Sequence, residues 1–152
     1  MISLNLVLAL ITAVSLDLDL DTSQNYVSTI VRDSDGTIWC ATSGGIAHYD
    51  PSGVWLESLL YPDGIHWIGS NEIILDDSLM WVATDGEGLA LLQNGSWQTY
   101  SSFEGVPGSG YVYSVHDAAD NIWAGTDAGL AMGGTEGFVP IDEDLTGGAF
   151  QA

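Results

Sequence analysis

Basic residues are almost absent from this chain. Arg32 is the only one in 152 residues, there is no lysine, and 21 Asp and Glu leave a formal net charge of −20. A nucleic-acid backbone binder needs several Lys or Arg to neutralise phosphates, so that class of function is excluded. Docking on an anionic membrane surface is opposed for the same reason. A single cysteine, Cys40, excludes an intrachain disulfide and any zinc site of several cysteines. His48, His66 and His116 are too dispersed to form a metal pair at i, i+4 spacing. Nucleophile elbows, phosphate loops and dinucleotide motifs are missing too. Carboxylates are plentiful, but none stands out as half of an acid–base pair. No catalytic residue is therefore assigned. No stretch keeps a 3.6-residue period for ten residues without glycine, which excludes amphipathic helical repeats.

What remains is a core-forming composition rich in turns. Hydrophobic residues make up 46%, with 19 glycines and 6 tryptophans. Many turns and many aromatics in a short chain predict an all-β protein. The acidic surface suits a solvated, exported protein, and its functional reading is calcium binding or a life in high salt. Asp33-Ser34-Asp35-Gly36 has the beginning of a calcium loop, but Gly44 stands where such a loop needs its closing glutamate. The turn is expected to satisfy its own backbone instead, and no cofactor is assigned. Residues 1–22 form a separate apolar segment. Its run from Leu4 to Leu16 is too short to span a membrane and suits a secretory signal. Its alternation of leucine and aspartate near Leu16 to Asp21 equally suits a strand.

The chain repeats. Trp39, Trp81 and Trp123 are 42 residues apart, and each is followed three residues later by Thr42, Thr84 or Thr126. The local strings are WCATSGGIAHYD, WVATDGEGLALL and WAGTDAGLAMGG. An alternating apolar stretch precedes each Trp, at 27–31, 72–75 and 112–115, and an acidic turn follows that stretch. After each Trp string come a turn and an aromatic-led strand beginning at Trp55, Trp97 or Phe138. A period near 42 with four short strands per unit is the signature of propeller blades. The units are set at 23–64, 65–106 and 107–149, with a tail at 150–152. Cys40 aligns with Val82 and is expected to be a small buried residue.

The pattern D-x-D-G-x-I-W followed by x-G-T-x-x-G-L resembles the two-component regulator propeller repeat. Residues 27–50, VSTIVRDSDGTIWCATSGGIAHYD, carry it best, and residues 111–132 nearly as well. Residues 71–92 depart from it: the acidic turn lacks its glycine and Asp85-Gly86-Glu87-Gly88 has one extra residue. The resemblance implies a β-propeller of the kind found in extracellular or periplasmic sensor regions and in secreted bacterial surface proteins. It assigns structural work to the recurring residues. The tryptophans are expected to wedge between blades, and the threonines to tie their strand to the adjacent blade.

Propellers typically close with 4–8 blades, so three visible units leave the ring incomplete within one chain. The open end blades call for cover, from a second chain sharing a six-bladed ring, from further blades of a longer protein or from partners stacked on them, and a homo-oligomer or a larger assembly with other protein chains is expected. The expected working surface is the face carrying the loops into each first strand and the turns after each Trp. Its candidate ligand-binding residues are Tyr26, His66, Trp67, Tyr111 and Tyr113, with Ser43, Asp85, Glu87 and Asp127 beside them. Aromatics with acidic neighbours suit a glycan or a peptide. The expected function is a non-enzymatic, exported recognition module, extracellular, periplasmic or at the cell surface. The rival is a structural subunit that assembles through its apolar start and open edges into a surface complex or filament. An enzyme built on the same blades is the third reading.

Overall fold

The computed structural model describes residues 26–59, 69–76 and 78–141. The apolar segment 1–22 and the tail 150–152 lie outside them. The described chain is all-β apart from one 3-10 turn at Ser102–Glu104. The first sheet comprises β1 (Val27–Arg32), β2 (Ile38–Thr42), β3 (Gly45–Tyr49) and β4 (Trp55–Leu59). The second holds β5 (Ser70–Asp76), β6 (Leu79–Thr84), β7 (Leu89–Gln93) and β8 (Ser96–Tyr100). The third holds β9 (Val112–Ala118), β10 (Asn121–Thr126), β11 (Gly129–Gly134) and β12 (Gly137–Pro140). In each sheet the four strands lie side by side in chain order, paired antiparallel. β1 packs against β5 and β5 against β9, so the first strand of each sheet is the inner one. This is a set of propeller blades, and the ring they begin is not closed.

Turn chemistry explains the meanders. Gln93 pairs with Ser96 across Asn94-Gly95, whose φ values of 51° and 74° give the hairpin turn that matches strand twist. Ala118 pairs with Asn121 across Ala119 and Asp120, at φ 53° and 62° without a glycine. The Asn121 amide donates to the Ala119 carbonyl at 2.9 Å and holds that strained turn. Gly88, at φ 86°, has no alternative, because a Cβ there would run into the Tyr100 carbonyl.

Two cores lie between sheets, not within them. Between the first and second sheets sit Ala41, Ile46, Ile73, Met80, Val82 and Ala90, with Trp39 packed against them. Between the second and third, Trp81 is 1% exposed among Leu89, Leu91, Val112 and Val115. Its indole meets Tyr100 at 5.4 Å and the edge of Phe138 at 5.9 Å. At the other junction Trp39 stacks on His48 at 3.6 Å and 7°, and His48 Nδ1 lies 3.1 Å from Glu57 Oε1. Trp39 and Trp81 are therefore wedges between blades. Trp123 takes the same strand position on the outer side of the third sheet, where it is only half-buried.

The threonines act differently from expectation. Thr42, Thr84 and Thr126 donate to the carbonyls of Gly45, Gly88 and Gly129 at 3.0, 2.6 and 3.0 Å. The same hydroxyls accept from the N–H groups of Gly44, Glu87 and Ala128. These bonds close the threonine's own hairpin, because the chain reverses within reach of a short side chain.

The tie between blades comes from a feature of the inner strands. Each slips register just after its start, leaving Ser28, Asn71 and Tyr113 as bulged residues. Ser28 Oγ donates to the Ser70 carbonyl of the next blade at 2.7 Å, and Asn71 Nδ2 to the Val112 carbonyl at 2.8 Å. The following residues repeat the device: Thr29 Oγ1 donates to the Asn71 carbonyl at 3.2 Å, and Glu72 Oε2 accepts from the Val115 N–H at 2.9 Å. At the periphery Tyr100 Oη donates to the Thr135 carbonyl at 2.9 Å.

Trp81→Ala is expected to cost about 3–5 kcal/mol of unfolding free energy, as for other buried large aromatics, measured by urea denaturation. Ser28→Ala, which removes one inter-blade bond, is expected to cost about 1 kcal/mol. Equal losses at the two positions would contradict the wedge.

Candidate functional site

The loop face is built from one backbone arrangement used three times. The residue before each inner strand accepts a hydrogen bond from the residue after each repeated threonine. Ser43 N–H donates to the Tyr26 carbonyl at 3.0 Å, Asp85 N–H to Gly69 at 3.0 Å, and Asp127 N–H to Tyr111 at 3.2 Å. A backbone pinned in this way leaves its side chains free for other work. Tyr26 is 68% and Tyr111 42% exposed. Ser43, Asp85, Glu87 and Asp127 are all exposed. Glycine 69 holds the third equivalent position, so the second blade offers no tyrosine there.

Between the second and third blades Asp85 and Tyr111 are drawn together, with Asp127 holding the loop beside them. Asp85 bridges to Tyr111 as an isolated antiparallel pair. The loop Val106–Gly110 passes over the turn of the second blade: the N–H groups of Gly86 and Gly88 donate to the Gly110 carbonyl at 3.2 and 2.7 Å. Its other side is held by Asp127, whose Oδ1 accepts from the Ser109 N–H at 3.1 Å and whose Oδ2 accepts from the Ser109 hydroxyl. Gly110 can lie there because a Cβ would collide with the Gly86 carbonyl. The result is a strapped rim with Asp85, Glu87 and Tyr111 on it. Hydrogen bonds from the Ser109 side chain, then its backbone, hold the Asp127 carboxyl below its ordinary value of 3.8.

Tyr113 stands apart from this rim. It is 58% exposed, but it occupies the bulge of β9, the position that Ser28 and Asn71 use to reach the next blade. His66 and Trp67 lie outside the described residues. The strap residues Ser109 and Gly110 were not expected from the sequence; nothing in Pro107-Gly108-Ser109-Gly110 pointed to Asp127, 18 residues from Ser109.

The acidic turns bind themselves. Asp35 Oδ1 accepts from Thr37 N–H at 2.9 Å and Thr37 Oγ1 at 2.7 Å, which lowers its pKa. Asp50 does the same for Ser52 and Val54. Among the described residues no group of three metal-ligating side chains converges. Cys40 is buried, and loss of hydration pushes its thiol pKa up, away from reactivity. On the opposite side, a cleft of about 560 Å³ between the second and third blades is lined by Asp76, Trp81, Asp117, Asp120 and Thr135. Among the described residues no helix is long and apolar enough to cross a membrane.

Residues 22–44 match the family model for the two component regulator propeller. Among solved structures, the chain is similar to the extracellular domain of a protein described as a hybrid two component system from B. thetaiotaomicron. That match has a TM-score of 0.61 and 30% identity, over 74% of this chain and 16% of that one. A second such domain from the same organism gives a TM-score of 0.62 at 22% identity, over 79% of this chain and 17% of that one. PorZ, a surface component of the type-IX secretion system of Porphyromonas gingivalis, gives 0.55 at 20% identity, over 70% of this chain and 17% of that one. The latter two speak for the fold alone. This chain spans about 16–17% of the length of these structures. No curated protein matches it.

Asp127 is expected to titrate below 3.8 in an NMR pH series. Its bonds to Ser109 contribute in full above the unfolded-state value and fade as the pH falls through the lowered folded-state value. Ser109→Ala should move the titration up toward 3.8; an unmoved value would refute the strap.

Proposed function

We propose that this chain, whose first repeat matches the two-component regulator propeller, is a non-enzymatic, exported recognition module that binds a neutral glycan on its loop face. The observation that carries this reading is the pinned backbone of that face. Tyr26 and Tyr111 expose their rings from equivalent positions, while their own carbonyls are held by Ser43 and Asp127. A rigid aromatic with a polar tip gives contact area at low entropic cost. Asp85 and Glu87 beside Tyr111 supply hydrogen-bond acceptors for hydroxyl groups. A net charge of −20 repels anionic ligands, which favours a neutral or cationic one. Export accords with the extracellular domains to which the fold is similar.

The reading does not call on catalysis. Among the described residues the carboxylates whose pKa values are shifted, Asp35, Asp50, Glu104 and Asp127, are all lowered by bonds to their own turns or to Ser109. None of these four is raised toward neutrality, as a general acid would need. The second reading, a structural subunit, is favoured by the exposed residues at the two ends of the blade row.

A glycan array followed by calorimetric titration of its hits tests the proposal. Tyr26→Ala and Tyr111→Ala are each expected to weaken binding about 2- to 10-fold, in line with about 0.5–1.5 kcal/mol per aromatic contact, with the thermal midpoint unchanged. No bound glycan, a peptide bound instead, or undiminished binding in both variants would overturn it.

A further inference from the structure

We propose, resting on the glycan reading of the loop face, that Glu87 is its specificity-determining residue. A one-residue insertion in the second blade displays Glu87, and its carboxylate selects a sugar that presents hydroxyl donors over the acidic counterpart of that sugar. The three turns after the repeated tryptophans are otherwise built alike. In the first and third blades the threonine hydroxyl accepts from the N–H two residues on, Gly44 or Ala128. It donates to the carbonyl three residues on, Gly45 or Gly129. In the second blade both partners lie one residue further. Thr84 Oγ1 accepts from the Glu87 N–H at 3.0 Å and donates to the Gly88 carbonyl at 2.6 Å. The residue straight after the threonine keeps its place, since the Ser43, Asp85 and Asp127 N–H groups all bond to the entry of their own inner strand. The extra residue is therefore Gly86. In repeat proteins such insertions fall in loops on one face, often the binding face.

The insertion does two things. Gly86 works through its backbone: at φ 123° its N–H donates to the Gly110 carbonyl at 3.2 Å, beside the bond from Gly88 at 2.7 Å. It thereby completes the seat of the strap that leads into Tyr111, which pairs with Asp85. The insertion also comes with a different residue at the next position. Gly44 and Ala128 hold the place of Glu87 in the other two turns, and neither has a hydrogen-bonding side chain. Glu87 is exposed, and its carboxylate has no hydrogen-bond partner among the described residues. A carboxylate accepts and does not donate. Sugar hydroxyls satisfy it, whereas a uronic acid sets like charge against it, and that repulsion is the discriminating element. Discrimination is thus confined to the junction of the second and third blades, where ring, carboxylate and strap meet.

The test titrates the full chain by calorimetry with the best neutral glycan from the array and with its uronic-acid counterpart. The wild type should prefer the neutral form by at least about 10-fold, the scale at which a pocket built for hydroxyls discriminates. Glu87→Gln, which keeps size and replaces one acceptor oxygen by a donor, should remove most of that preference. Its Gly86 and Gly88 amides should stay as protected from hydrogen exchange as in the wild type. Deleting Gly86 restores the turn length of the first and third blades. That variant should keep its β circular-dichroism spectrum, lose protection across 108–110 and weaken binding of both glycans. If the deletion unfolds the chain, Glu87→Gln decides alone. A wild-type chain that binds no glycan would overturn the glycan reading and the role of Glu87 together. A wild type that binds both forms equally, or an unchanged preference in Glu87→Gln, would overturn the role of Glu87 and leave the glycan reading standing.

Discussion

Everything in this molecule rests on the junction between neighbouring inner strands. A four-stranded meander of this size buries little by itself, and the second sheet carries apolar residues on both faces. The core forms only when one sheet is laid on the next, as the two clusters around Trp39 and Trp81 show. The bulge fixes the register of that contact. By inserting one residue into the inner strand, it points a side chain sideways at the neighbouring backbone instead of up or down the pleat. Ser28 and Asn71 then find a carbonyl one repeat away. The tie is polar and directional, whereas the tryptophan beside it is bulky and non-directional. One sets alignment and the other supplies buried area.

The tryptophans make that division clear. The indole N–H groups of Trp39, Trp81 and Trp123 are all buried without a partner. An unsatisfied buried donor costs about 1–3 kcal/mol, so a residue kept at this position is not there for its hydrogen bond. The ring's area must outweigh the cost, which it does at Trp81 through Tyr100, Phe138 and the surrounding aliphatic side chains.

Sequence reading reached the blades because period and turn chemistry are local signals. Trp39, Trp81 and Trp123 at equal spacing, and glycine or Asn-Gly at most reversals, were enough for the meander and for the wedge. The threonines were misassigned in detail: a short hydroxyl beside a tight hairpin bonds within that hairpin, and an alignment cannot show which way it turns. The bulge was invisible for a different reason. Ser28, Asn71 and Tyr113 share a position but no chemistry, so no motif marks them. Their equivalence appears only in the register of the paired strands. The loop face was half legible. The exposure of Tyr26 and Tyr111 agrees with their place before an inner strand, but the strap from Ser109 to Asp127 joins residues 18 apart through a loop whose path the sequence does not specify. Tyr113 read as a loop aromatic and proved to sit on a strand.

A row of blades has an arithmetic that explains its surface. Each added blade contributes one new junction, yet the row keeps two open faces however long it grows; only closure removes them. Exposed Ile30 and Tyr113 are thus consequences of using one interface repeatedly, not defects of the first and last units. Such ends invite promiscuous pairing through their strands. The strongly acidic surface counters it, since like-charged molecules repel at long range while a fully complementary face still gains from contact at short range. The scarcity of lysine and arginine gives that repulsion its strength. Within the chain it leaves the short-range complementarity of bulge and receiving strand to set which blades meet.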